Sequence, residues 1–297
     1  MATITWTNPI THESGPDPFI VRAEGRYYLI TTGLAADGRF LPIWVSSDLV
    51  SWTFVRGAVV RGAEGSWNRY NFWAPEILFH EGRYWLYYTA KPTDDENNAG
   101  NRVGLAVSDQ PDGPYEDIGV VVDHASLDGS PFREADGTLW LYYVTDHGNL
   151  RGHEPGKLWV DRLIEPGRVA ERPVRLIERH PWQEGPAVLR QADGRYRLTY
   201  SLGGWRGDKY HVVQAVGDRP DGPFVESDRV LMKSTDAVKG PGHHNFFTGP
   251  DGLPWLIYHG WDPAFTQRYP RIDRCSADVD GTLVSAAPTS TPQRYVW

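Results

Sequence analysis

The stretch 14-SGPDPFIVRAEGRYYLITTG-33 joins an Asp-Pro pair to a short apolar run, an acidic-Gly turn and a second, aromatic-rich run. Glycine accepts the positive φ of a tight hairpin, so Glu24-Gly25 between two apolar segments reads as a β-hairpin. The pattern returns as ILFHEGRYWLYYTA from Ile77, PFREADGTLWLYYVT from Pro131, AVLRQADGRYRLTYS from Ala187 and FFTGPDGLPWLIYHG from Phe246. The turn glycines are Gly25, Gly82, Gly137, Gly194 and Gly252, spaced by 57, 55, 57 and 58 residues. Such a period suits a four-stranded antiparallel sheet with its loops. The later parts of the units also rhyme: PDGP occurs at 111–114 and at 220–223, each time before a segment opening PY or PF that suits a short outer strand. No segment sustains a helical period, and the 31 glycines and 23 prolines punctuate short strands. The sequence therefore predicts an all-β five-bladed β-propeller, a single domain over 1–297. The end segments MATITWTNP and PTSTPQRYVW are expected to help close the ring by pairing within one blade.

Composition narrows the function. With 40% hydrophobic and 23% charged residues the chain is globular, and its net charge of −8 without a dense basic patch speaks against a nucleic-acid partner. The single cysteine, Cys275, permits no intrachain disulfide. No apolar run approaches the length of a membrane span, so no membrane partner is expected. The reading fits a cytoplasmic enzyme, or a secreted one whose leader has been removed.

In a propeller the first strand of each repeat lines the axial channel, so residues opening those strands converge there. Asp17 lies 8 residues before Gly25, Asp128 lies 9 before Gly137, Glu184 lies 10 before Gly194, His243 lies 9 before Gly252, and Trp73 lies 9 before Gly82. Each has a plain structural use when taken alone: a turn aspartate, an Asp-Gly turn, a loop acid, a core histidine or core aromatic. Together they place three carboxyl groups and a histidine in one funnel. Hydrolysis of an acetal needs a proton for the leaving oxygen and a water deprotonated on the opposite side, work usually shared by two carboxyl groups. A third carboxylate raises the pKa of its neighbour.

The motifs GPDPFI, FWAPEI, LDGSPF, QEGPAV and GPGHHNFF, in this order and at propeller spacing, resemble glycoside hydrolase family 43 over nearly the whole chain. The resemblance implies inverting hydrolysis of arabinose- or xylose-containing plant cell-wall oligo- or polysaccharides. It implies Asp17 as general base, Glu184 as general acid and Asp128 as the carboxylate that raises the acid's pKa, with base and acid about 6.5–9.5 Å apart. It places Trp73 and Arg271 at the sugar, Arg271 matching better than Arg268. His243 becomes an axial residue near the substrate and the contact of a hydrated calcium ion in the channel; no cofactor is required for the chemistry.

Xylosidases of that family usually carry an added sandwich-like domain, and this chain ends with its fifth blade, so the expectation is an α-L-arabinofuranosidase, followed by an endo-α-1,5-L-arabinanase and then a β-xylosidase. The loops 91–102 and 143–157 should shape the pocket or groove. Trp182, Trp205, Trp261 and Phe265 are candidates for a sugar platform, and equally for packing. The rivals are a non-catalytic carbohydrate-binding propeller, in which the acids would be incidental, and a metal-dependent lactonase, which would show several direct metal ligands.

Overall fold

The computed structural model describes residues 1–95, 100–148 and 153–297. Residues 96–99 and 149–152, in the two loops expected to shape the site, lie outside the described residues.

Strand β1 (Thr3–Trp6) precedes the first blade, which holds β2 (Phe19–Ala23), β3 (Arg26–Ile30), β4 (Phe40–Ser46) and β5 (Thr53–Val59). Blade 2 holds β6 (Tyr70–His80), β7 (Arg83–Lys91), β8 (Arg102–Ser108) and β9 (Glu116–Val120). Blade 3 holds β10 (Ser126–Arg133), β11 (Leu139–Thr145) and β12 (Leu158–Glu165), with the short β13 (Arg168–Val169) and β14 (Val174–Arg175) both on the edge of β12. Blade 4 holds β15 (Gln183–Arg190), β16 (Tyr196–Leu202), β17 (His211–Gly217) and β18 (Phe224–Glu226). Blade 5 holds β19 (Lys239–Thr248), β20 (Pro254–Trp261), β21 (Arg268–Ala277) and β22 (Leu283–Ser285), and β23 (Gln293–Val296) follows it. Every blade is an antiparallel meander in chain order. The first strands β2, β6, β10, β15 and β19 neighbour one another around the axis. This is a five-bladed β-propeller.

The aromatic strand after each turn packs on both faces because it lies between two neighbouring blades. In β3, Tyr28 and Ile30 face blade 2 whereas Tyr27 and Leu29 face blade 5. In β7, Leu86 and Tyr88 face blade 1 and Tyr87 faces blade 3. The core is thus five apolar seams, one per blade boundary. Complete burial of each such side chain stabilises the fold by about 1.5–3 kcal/mol.

The chain ends close the ring differently from expectation. β1 pairs with β23 as a separate two-stranded sheet, and neither adds to a blade. Blade 5 already completes its four strands with β22, so the ends have no vacant edge to fill there. They seal the seam between blades 1 and 5 instead, with Ile4 and Trp6 packed among Trp255, Ile257 and Ile272. Asn8 acts as a side-chain staple on β21: it accepts from the Ile272 N–H at 2.9 Å and donates to the Ile272 carbonyl at 2.8 Å and to Thr289 at 2.9 Å. Among the described residues no helix is long and apolar enough to cross a membrane.

Asn8→Leu leaves the buried Ile272 N–H of β21 without a partner, whereas the Ile272 carbonyl keeps the Trp6 indole N–H at 3.0 Å. Such a group costs about 1–3 kcal/mol. Urea unfolding should therefore show a loss of about 1–3 kcal/mol, and an unchanged midpoint and slope would show that ring closure does not depend on Asn8.

Candidate active site

A residue with left-handed backbone interrupts each inner strand near its start or, in blade 1, stands two residues ahead of it: Asp17 (φ 50°), Ala74 (48°), Asp128 (56°), Gly185 (52°) and His243 (44°). In blades 2 to 5 the register between the first two strands slips at this point. These five are the equivalent positions around the axis. Glu184 and Trp73 each stand one residue earlier, so the spacing from the turn glycine was a correct guide for Asp17, Asp128 and His243 and shifted by one for Glu184 and Trp73. At Trp73 the offset comes from turn length, whereas Glu184 is the residue ahead of the kink in a blade whose turn is as long as those of blades 3 and 5. The hairpin between β2 and β3 turns through two residues, as does that between β6 and β7, whereas the other three hairpins carry longer turns.

A slipped strand leaves peptide N–H groups without ladder partners, and buried donors must be satisfied. In four blades the N–H of the left-handed residue donates to the second strand region of the preceding blade: Ala74 to Thr32 Oγ1 (2.8 Å), Asp128 to Thr89 Oγ1 (3.1 Å), His243 to Ser201 Oγ (2.9 Å) and Asp17 to His259 Nδ1 (3.2 Å). Blade 3 has Val144 at the corresponding place, opposite Leu127 in the ladder. The Gly185 N–H donates instead to Asp128 Oδ2 at 2.9 Å. Glycine suits position 185: besides its positive φ, a Cβ would sit 3.2 Å from the backbone and ring of His243, which would have to shift slightly.

Asp17 is therefore fixed from several sides. Its Oδ2 accepts from Thr32 Oγ1 at 2.8 Å, and its Oδ1 accepts from Arg268 Nη1 at 3.1 Å, with His243 Nδ1 at 3.6 Å. Burial opposes its ionisation, but Arg268, then His243 and His259, outweigh burial and hold the carboxyl well below the usual carboxylate range. His259 is pushed down to about 4 by burial and by Arg268, so it stays neutral as an acceptor for the Asp17 N–H.

Glu184 receives the Trp182 indole N–H on Oε1 at 2.6 Å and the Tyr210 hydroxyl on Oε2 at 2.9 Å. Burial nevertheless raises its pKa, these two bonds working against the rise and the charge of Asp17 adding to it. Asp128 is raised well above an ordinary aspartate, by burial and then by Glu184. Asp128 and Glu184 thus release their protons in two steps that belong to the pair, the second delayed by the first. His243, lowered by burial, lies with Nδ1 3.9 Å from Asp128 Oδ2 and so links the carboxylates.

The sugar-side assignments divide. Trp73 is half-buried at the level of Glu184, next to the Ala74 N–H that holds Thr32. Arg271 is not beside Asp17: it is 4% exposed and packed near Tyr258 and Asp273. Arg268 is the arginine that reaches Asp17, and its guanidinium lies 4.5 Å from the ring of Trp205 and 5.6 Å from that of Trp261. Those two indoles are nearly parallel, with centroids 6.0 Å apart, and Phe265 adjoins Trp261. They form an aromatic wall around Arg268. Trp182 stacks on His147 while its N–H holds Glu184. Thr32, Tyr210 and His259 were not singled out from sequence; the signal was a polar or aromatic residue at the end of a second strand or the start of a third.

The donor set does not make a protein cage for calcium. Among the described residues no three His, Cys, Asp or Glu side chains are placed to share an ion. Asp17 and Asp128 spend oxygens on Arg268, Thr32 and Gly185, so an ion at His243 would draw most of its six to eight oxygens from water.

The family model described as glycosyl hydrolases family 43 matches residues 6–283. The chain belongs to this family. A thermostable family-43 glycoside hydrolase of known structure superimposes with a TM-score of 0.84 and 28% identity over 97% of this chain and 98% of the other. The β-D-galactofuranosidase xynD of Aspergillus niger is 27% identical, covering 93% of this chain and 84% of its own. The extracellular exo-α-(1→5)-L-arabinofuranosidase ArbA of Cellvibrio japonicus is 24% identical, covering 84% and 79%.

Two pH profiles test the electrostatics of this family-43 site. Arg268→Gln removes the cation beside Asp17, whose pKa rises, so the acid limb of kcat/KM moves to higher pH; an unmoved limb would mean that another group titrates there. Val144→Thr supplies the missing hydroxyl in blade 3 and draws the Gly185 N–H away from Asp128. That bond favours the charged form of Asp128. With less charge beside it, Glu184 loses its proton at lower pH and the alkaline limb moves down, whereas an unshifted alkaline limb in a folded variant would show that the Gly185 bond does not tune the pair.

Proposed function

We propose that this protein is an inverting, exo-acting α-L-arabinofuranosidase that removes terminal arabinose from plant arabinan or arabinoxylan. One observation carries the reading: in a single pocket Asp17 is held ionised by Arg268 while Glu184 is biased towards its protonated form. These are the states required of a general base and a general acid at the same pH.

In the proposed reaction Asp17 takes a proton from water as that water attacks the anomeric carbon. Glu184 gives its proton to the leaving glycosidic oxygen on the other side of the ring. The bond to the leaving oxygen breaks, the bond to the water oxygen forms with inverted configuration, and exchange with solvent resets both carboxyl groups. Thr32 and Arg268 orient the base; Trp182 and Tyr210 orient the acid. Asp128 is coupled to the acid, its own pKa raised by burial and then by the Glu184 charge.

The side chains of Asp17 and Asp128 are only 12% and 9% exposed, which favours entry of one terminal sugar over the passage of a polymer through an open groove. The furanoside preference draws on the relatives, an arabinofuranosidase and a galactofuranosidase among them. Both act on five-membered sugar rings.

The direct assay compares nitrophenyl α-L-arabinofuranoside, β-D-xyloside and β-D-galactofuranoside with linear arabinan, following the first-formed anomer by NMR. The arabinofuranoside should be cleaved fastest, with arabinan giving arabinose of inverted configuration; oligosaccharides as first products, or a retained anomer, would overturn the reading. Asp17→Asn should lower kcat/KM by roughly 10²–10⁴-fold on all substrates. Glu184→Gln should do so on arabinan but less on the nitrophenyl glycoside, whose leaving group needs little protonation. A loss within about tenfold for both variants on arabinan is incompatible with general acid–base roles.

A further inference from the structure

The axial channel contains a second cavity, of about 360 Å³, at the ends of the inner strands remote from Asp17 and Glu184. All five inner strands contribute to it. Two residues past each left-handed position the pleat returns a side chain to the axis, about 6–7 Å further down. Three of these five side chains are polar, Glu76, Ser130 and Asn245, and they form the inner end of the cavity. Its walls include Val21, Phe132 and Val188, each only half-buried by protein.

Glu76 is 7% exposed, and its Oε2 has no hydrogen-bond partner. Burial pushes its pKa up to about 8, with Ser130 and Asn245 pulling the other way and, among the described residues, no cationic side chain beside it. Near neutral pH it is an uncharged acid, able to donate as well as accept. Asn245 accepts from the Phe246 N–H through its Oδ1 and gives one amide N–H to Glu76, which leaves its second N–H for a guest. The inner end therefore offers a carboxylic acid, a hydroxyl and an amide without net charge, between apolar and aromatic walls. Arg22 and Arg133 stand at the exposed rim and disfavour a cation. An anion would find the acid in place of a cluster of donors. An uncharged polyhydroxylated ring matches both requirements: hydroxyls for the polar end and C–H faces for the walls.

We propose that this mouth of the channel is a second, non-catalytic binding site for a free monosaccharide, held by Glu76, Ser130 and Asn245. Its geometry does not depend on which glycoside the catalytic pocket cleaves.

The probes are L-arabinose and D-xylose, applied to crystals of the whole chain and in calorimetric titrations. Soaked crystals should show a sugar ring within hydrogen-bond distance of Glu76, separate from any sugar at Asp17. Val188→Trp fills the cavity and should abolish this second binding event while leaving turnover unchanged. Glu76→Ala should weaken it roughly tenfold, the value of one such hydrogen bond. Should either variant fold poorly, Ser130→Ala provides the same comparison at a smaller perturbation. The proposal is overturned by a cavity that stays empty while the catalytic pocket fills, by a metal ion bound at Glu76 in its place, or by second-site affinity that is equal in wild type and all three variants.

Discussion

The active centre depends on a backbone constraint repeated five times: an inner strand that kinks through a left-handed residue and hands its freed N–H to the neighbouring blade. For an L-residue this conformation costs about 1–2 kcal/mol, and Asp17, Ala74, Asp128 and His243 all adopt it without being glycine. The cost is offset by burial of the whole seam and by the bonds to Thr32, Thr89, Ser201 and His259. Because those partners lie on the preceding blade, each kink also fixes the angle between two blades. The element that aims side chains at the axis is therefore the same one that holds the ring in register.

Departure from fivefold regularity makes the chemistry. In blade 3 the second strand presents Val144, so the Gly185 N–H turns to a carboxylate and ties Asp128 to the strand that bears Glu184. In blade 5 the acceptor is His259, a neutral ring in place of a hydroxyl, and it sits beside Tyr210, which bonds Glu184. Asp17 and Glu184 are thus connected through the backbone supports of blades 4, 5 and 1. Rigidity of this kind suits general acid–base catalysis, in which small displacements of either group are costly.

Much of this was legible in the sequence. The hairpin glycines mark the blades, and the Asp-Pro, Leu-Asp-Gly and Glu-Gly-Pro motifs mark where inner strands begin. The one-residue offset at Glu184 was hidden because turn length and kink position both affect a count made from the glycine, and only paired strands separate them. The choice between Arg268 and Arg271 has a similar cause. The third strand of a blade runs away from the catalytic face, so three residues carry Arg271 about 10 Å deeper and onto the opposite side of the sheet, whereas Arg268 begins β21 at the mouth. Closure by β1 and β23 was obscured for another reason: edge pairing to a blade and pairing of the two ends demand the same strand-like sequences, and the decision rests on Asn8 and on an edge already taken by β22.

Three of the four carboxyl groups along the channel, Asp17, Glu184 and Glu76, show how strongly the environment overrides residue type. Burial presses Asp17, Glu184 and Glu76 alike towards their neutral forms. Asp17 escapes because a guanidinium, braced by two indoles, reaches it from the third strand of blade 5. Glu184 has only neutral donors on its oxygens, which temper the effect of burial without reversing it. Glu76, deeper on the axis with a hydroxyl and an amide for company, shifts furthest into the range where a carboxyl remains protonated at neutral pH. The same Arg268 charge also pulls on Glu184 but comes after burial and its neutral donors there, whereas at Asp17 it leads the groups that overcome burial, so the distance of each carboxyl from one guanidinium separates the two.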